Sequence, residues 1–138
     1  MSEQDNIDVV RKGYEAFGRG DMNGLLAQFD ADIEWRTPGP ADLPTAGDRR
    51  GHAGVQEFFQ NLFAIVDIQR FETTQFVAQG DTVMVIGEDT SRVKATGTTL
   101  EFRFVHAFTV RNGKVVAFDE YTDFSPLVAE LRAAQART

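Results

Sequence analysis

Residues 83–123 read VMVIGEDTSRVKATGTTLEFRFVHAFTVRNGKVVAFDEYTD, and this stretch decides the fold class. Val83 to Lys94 reads as one strand, Ala95-Thr96-Gly97 as a turn, and Thr98 to Val110 as the next strand. Asn112-Gly113 lies between apolar runs, and because both residue types tolerate positive φ the pair signals a tight hairpin into a last strand, Lys114 to Asp123. Just upstream, Phe71 to Gln79 meets a Gly80-Asp81 turn and adds a further strand. The sheet residues are apolar on both parities. Met84, Ile86, Phe102, Phe104, Phe108 and Phe118 share one, and the smaller Val83, Val85, Val105, Ala107, Val115 and Ala117 the other. A sheet with one wet face alternates apolar and polar more cleanly, so both faces are expected to be covered. Helices would cover the Phe-rich face, and a second copy of the chain the small-residue face.

Towards the N-terminus the period changes from two to nearly four. Ile7, Val10, Tyr14 and Phe17 mark one helical face, ended by Gly18 to Gly20. Asp21 can cap a second helix carrying Leu25, Leu26 and Phe29. Ile33 and Trp35 alternate with Glu34 and Arg36 in a short strand that stops before Pro38. Residues 37–50 hold three prolines and two glycines without any period, which predicts a loop, here a rim that orders when ligand binds. Val55, Phe58, Phe59, Leu62, Phe63 and Val66 then give the clearest helical stripe in the chain. Ser125-Pro126 combines an N-cap residue with a proline suited to the first turn, opening a terminal helix through Leu127, Val128 and Leu131. Helices followed by an antiparallel meander predict a single α+β domain over residues 1–138.

Composition narrows the function. The net charge of -7 and scattered basic residues argue against nucleic acid or an anionic membrane as partner. With no cysteine there are no disulfides or thiolate-bound metals. The two histidines, His52 and His106, lack metal-ligand spacing, so no metal site is expected. No signal segment or membrane span is apparent, which reads as cytoplasmic. There are 12 phenylalanines against two tyrosines and one tryptophan. Such a bias implies a bulky apolar interior with few hydroxyls to satisfy.

Three ionisable residues interrupt the Phe-rich parity: Glu88, His106 and Glu120. Alternate residues of neighbouring strands share a face, so the three can converge on one cavity, with Trp35 and Thr37 joining from the first strand. A carboxylate facing an aromatic wall loses hydration and its pKa rises, and a nearby histidine can then divide acid and base roles with it. Glu88, His106 and Glu120 are the candidate catalytic residues. Trp35, Thr37, Phe59, Phe63, Phe104 and Phe118 are the candidate ligand-binding residues. Tyr14 reads as core and His52 as surface.

Tyr-Glu-Ala-Phe-Gly-Arg-Gly-Asp (14–21), the Trp35 strand with Pro38-Gly39, Arg50-Gly51, Asn-Gly-Lys-Val-Val (112–116) and Glu-Tyr-Thr-Asp (120–123) resemble the SnoaL-like, ketosteroid-isomerase-related branch of the nuclear transport factor 2-like superfamily. The resemblance implies a cone-shaped, strongly curved antiparallel sheet wrapped around three helices, a cystatin-like α+β barrel. It also implies a pocket at the open end and a homodimer formed through the sheet. It does not fix one reaction, since the superfamily hosts isomerases, cyclases, dehydratases, hydrolases and binding domains. Matched to the isomerase, Thr37 stands where that enzyme has its catalytic Asp and His106 where it has its oxyanion-hole Asp. Tyr14 falls one residue out of step with the isomerase's helix-1 Tyr, at Gly13, and is expected to turn away. Efficient ketosteroid isomerisation is therefore not expected. The leading expectation is proton-transfer chemistry on a small apolar molecule without a cofactor. Glu120 or Glu88 would be the base and His106 the acid or oxyanion donor. The alternative is a non-catalytic binding domain for a small hydrophobic ligand.

Overall fold

The structure is a computed structural model that describes residues 2–137. Helix α1 (Glu3–Gly18) starts at a capping box in which Ser2 accepts from the Asp5 amide and Asp5 accepts from the Ser2 amide. It stops where Gly20 takes φ 70°. Asp21 caps α2 (Met22–Leu26) through the Gly24 amide at 2.9 Å. Phe29, read above as the end of that helix, instead opens β1 (Phe29–Thr37). The order continues β2 (Gly47–Arg50), α3 (Gly51–Ile65), β3 (Val66–Gln79), β4 (Thr82–Val93), β5 (Thr99–Arg111), β6 (Lys114–Tyr121) and α4 (Ser125–Ala136). This is an α+β fold with helices first, then a sheet, then a closing helix.

Six strands form one sheet in the order β2-β1-β6-β5-β4-β3. Hairpin neighbours run antiparallel, but β1 lies parallel to β6, with Trp35 beside Phe118. The sheet is thus mixed, because β2, α3 and three further strands separate β1 from β6 in the chain and no tight turn dictates their relative direction. Residues 37–50 are not all loop: Gly47–Arg50 pair with Glu34–Thr37. Register shifts at Ile68/Arg70 and Thr73/Gln75 in β3 mark bulges that bend the sheet around the helices.

Two apolar clusters fill the concave side. The larger joins α1, α2 and α3 to the sheet through Val10, Leu25, Ile33, Val55, Val85 and Phe118. The smaller seats α4 at one end, where Leu127 packs with Leu43, Val66, Val93 and Phe102. The start of α4 is organised by Asp123, whose carboxylate accepts from the Ser125 amide at 2.9 Å, while Ser125 is already helical. Among the described residues no helix is long and apolar enough to cross a membrane.

The face assignment differs from the sequence expectation in β4. Val83, Val85 and Val93 are fully buried, whereas Met84 is 45% exposed. Odd-numbered residues of β4 therefore point inward, opposite even-numbered residues of β5, with Val85 across from His106 and Gly87 across from Phe104. In β6 a shift between Thr109 and Val110 of the partner strand places Val116 in a bulge, so Val115 and Phe118 both reach the core. Val83, Val85 and Val115 accordingly do not belong to an outer small-residue face.

Candidate active site

The cavity lies between α1, α3 and the concave face of the sheet, with a volume of about 110 Å³. Its wall is mostly aromatic, with Phe17, Trp35, Phe59, Phe108 and Phe118 among the lining residues. Helix α1 contributes Val10, Gly13, Tyr14 and Phe17, the one-turn and two-turn neighbours on a single face.

Into this wall the sheet inserts a chain of hydrogen bonds. His106 Nε2 lies 3.0 Å from Glu120 Oε2, and its Nδ1 lies 2.7 Å from the Tyr14 hydroxyl. The His106 and Glu120 side chains are only 10% and 12% exposed. Direct register across β5 and β6 brings these two together. The imidazole is clamped between aromatic neighbours, stacked on Phe104 with ring centroids 4.1 Å apart and edge-on to Phe118 at 4.9 Å. Gly87 makes that stack possible: a Cβ there would sit 2.3 Å from the Phe104 ring and 2.5 Å from the Glu72 carbonyl oxygen.

A carboxylate can only accept, so an ionised Glu120 requires the histidine proton on Nε2. Nδ1 then accepts from the Tyr14 O–H. Burial, reinforced by the charge of Glu120, pushes the Tyr14 phenol well above its ordinary pKa. Tyr14 therefore works as a neutral hydroxyl. Asp89 is the fourth polar member. It faces the cavity from β4, two same-face positions beyond Val85, and accepts from Ser91 Oγ at 2.9 Å. Burial raises its pKa to about 6, and the charge of Glu120 adds to this, while the Ser91 bond and His106 oppose it.

Of the residues singled out from sequence, His106, Glu120, Trp35, Phe59 and Phe118 line this cavity. Glu88 does not. It points to the outer face of the sheet and pairs with Arg70 at 2.8 Å, because β4 presents its odd positions inward. Thr37 is buried beside the wall, and its hydroxyl is spent on the Thr45 carbonyl. Phe104 backs His106 rather than lining the space, and Phe63 is 41% exposed at a separate surface cleft beside Phe17 and Arg70. Tyr14, expected to turn away, points in. His52 bonds to the Phe29 carbonyl at 3.0 Å and takes no part in the cavity. The segment read as a rim is pinned: Arg49 donates to the carbonyls of Pro44, Thr45 and Ala46 at 2.9, 3.1 and 3.4 Å. Among the described residues no three His, Asp or Glu side chains are grouped to hold a metal.

Comparison with known proteins places this geometry in a family. The SnoaL-like domain profile matches residues 10–118. The chain belongs to the SnoaL-like family. The SnoaL-like domain here resembles an NTF2-like protein from Burkholderia xenovorans LB400, with 44% identity, a TM-score of 0.84 and coverage of 94% of this chain and 97% of that one. It also resembles TerC, crystallized with polyporic acid, with 30% identity, a TM-score of 0.81 and coverage of 95% and 98%. An uncharacterized protein of Mycobacterium tuberculosis is 29% identical over 121 residues, 88% of this chain and 91% of its own length. The fold is thus NTF2-like, and structures of ketosteroid-isomerase-like fold are among its neighbours.

Proposed function

We propose that this SnoaL-like domain is an enzyme that moves protons on a small, apolar, carbonyl-bearing molecule, using its own side chains. The observation that carries the reading is the Tyr14–His106–Glu120 hydrogen-bond chain set in an aromatic cavity, facing a carboxyl group held near neutrality. An acid or base works best with a pKa close to the working pH, and Asp89 meets that condition. Glu120 is already committed to His106, so the base is Asp89.

The Asp89 carboxylate takes a proton from the carbon beside the substrate carbonyl. The C–H electron pair moves into the new enolate, and negative charge gathers on oxygen. As that charge forms, the Tyr14 O–H turns from His106 Nδ1 to the substrate oxygen, while Glu120 keeps the imidazole in place by accepting from Nε2–H. Asp89 then returns the proton to the same or a neighbouring carbon. TerC's crystallization with polyporic acid supports a small-molecule ligand for this fold. Thr37 has no role in this scheme, in keeping with an enzyme that is not a ketosteroid isomerase.

Deuterium exchange tests the proposal. Incubated in D₂O with 1-tetralone, the protein is expected to speed label uptake beside the carbonyl. Uptake no faster than in buffer, for a ketone that demonstrably binds, would make the domain a binder rather than an enzyme.

The outer face of the sheet supports a homodimer as the working form. Met84, Val77 and Tyr121 are 45%, 48% and 59% exposed, with Ile86, Val105 and Ala107 partly exposed among them. Arg70, Glu72 and Glu88 form ion pairs on the same face, an apolar centre with a polar margin. Sedimentation at micromolar concentration should give a dimer that Met84→Lys weakens. A wild-type monomer would refute the assignment.

A further inference from the structure

Two polar atoms in the cavity wall have no role in the scheme above. Among the described residues, Trp35 Nε1 and Thr45 Oγ1 are buried without a hydrogen-bond partner. Both residues line the cavity, and they are only 4% and 1% exposed. A buried donor without a partner is costly, so such groups call for an explanation. Neither position is slack. Trp35 is wedged against Phe118, ring centroids 3.8 Å apart, and against Phe58 at 5.4 Å. Thr45 is held by its own carbonyl, which accepts from the Thr37 hydroxyl and from Arg49. The fold thus fixes both groups in place and leaves their hydrogen-bonding capacity unused.

Their position relative to the catalytic chain gives the meaning. Phe118 stands between Trp35 and His106, because β6 lies between β1 and β5 in the sheet, and its ring centroid is 3.8 Å from Trp35 and 4.9 Å from His106. Trp35 therefore lies across the Phe118 ring from His106, and Thr45 joins the same end of the wall through Thr37, the next inward residue of β1, whose hydroxyl donates to the Thr45 carbonyl. Trp35 can only donate, whereas the Thr45 hydroxyl can donate or accept. A ligand hydroxyl has the chemistry to accept from Trp35 and to donate to Thr45. A carbonyl has the chemistry to accept from either group.

We infer that the occupant is a compact ring compound with two oxygen functions on opposite sides, one met by the Tyr14 hydroxyl and the second anchored by Trp35 and Thr45. The inference rests on the cavity being the ligand site, as proposed above, but not on catalysis.

The test is isothermal titration of 6-hydroxy-1-tetralone, 1-tetralone and tetralin into the wild type, Trp35→Phe and Thr45→Val. Without a waiting partner, adding a hydroxyl to a ligand in an aromatic pocket weakens binding, since the group must shed water. With the anchor, the hydroxyl is expected to tighten wild-type binding by about 3- to 10-fold over 1-tetralone, one net hydrogen bond. Each substitution should abolish that advantage, so that within each variant 6-hydroxy-1-tetralone binds no tighter than 1-tetralone. Thr45→Val keeps the side-chain shape, which guards against misfolding of the tryptophan variant. If the hydroxyl brings no gain in the wild type, or its gain survives both substitutions, the anchor is wrong while the cavity stands as a ligand site. If none of the three compounds binds, the cavity assignment falls and the anchor with it.

Discussion

Asp89→Asn is expected to slow proton transfer by about 10²–10⁴-fold while making the protein more stable at alkaline pH. The two effects share one cause. The folded-state pKa of Asp89 is raised to about 6, chiefly by burial, against an unfolded value near 3.9. The folded protein therefore holds this proton more tightly than the unfolded chain does. Stability falls as pH rises from about 4 to about 6, and the full cost persists above that range. A shift of this size corresponds to about 3 kcal/mol, and partial exposure of the carboxyl group reduces it to about 2 kcal/mol. Asparagine removes the charge and still accepts from Ser91, so the cost disappears. Denaturant unfolding at pH 8 and pH 4 is the check. The variant should gain about 2 kcal/mol at pH 8 and almost nothing at pH 4. Equal stability of the two proteins at pH 8 would mean that Asp89 carries no burial penalty and is not poised as a base.

Tyr14→Phe should cost about 10²–10³-fold in rate, the usual loss when one oxyanion donor is removed. It should also cost about 1–3 kcal/mol in stability, because it leaves His106 Nδ1 buried without a donor. The ring itself stays packed, since phenylalanine keeps the edge contacts with Phe76 and Phe108, at 6.0 and 5.8 Å between centroids. The rate loss should appear in the maximal rate of tetralone exchange more than in ketone affinity. An unchanged rate would remove Tyr14 from the mechanism and leave it a structural hydroxyl.

The fold was legible in the sequence where pattern and turn chemistry agree. Asn112 and Gly113 take φ 50° and 75°, as the hairpin reading requires, and the helical stripes before the meander lie where the period places them except at their last residues, Phe29 and Val66, which open β1 and β3. The pairing of His106 with Glu120 was legible as well, because the two flank a hairpin whose register makes them direct neighbours. Asp89 was not. Parity was carried from β5 into β4 across the Ala95–Gly97 turn, and a turn does not preserve it. The whole of β4 held a usable signal: its even positions end in Glu88, Arg92 and Lys94, a solvent pattern, while its odd positions run Val83, Val85, Gly87, Asp89, Ser91 and Val93. Tyr14 was missed for a different reason. Matching one helical residue to a relative's pattern assumes a single inward position, but Gly13 and Tyr14 both belong to the face that lines the cavity. The unsatisfied Trp35 and Thr45 groups could not be read from sequence at all, because a missing partner is a property of the packed interior.

At the centre of this account is a directed proton path, with Tyr14 donating to His106 and His106 donating to an ionised Glu120. Nitrogen-15 NMR of the histidine rings measures it most directly, and with only His52 and His106 in the chain the assignments are simple. At pH 8 the account predicts one fixed tautomer for His106, with the proton on Nε2 and a bare, hydrogen-bonded Nδ1 whose shift moves in Tyr14→Phe. A proton on Nδ1, or two nitrogens averaged as in a free imidazole, would contradict it. Either result would mean that Glu120 keeps its own proton or that the chain of hydrogen bonds does not form.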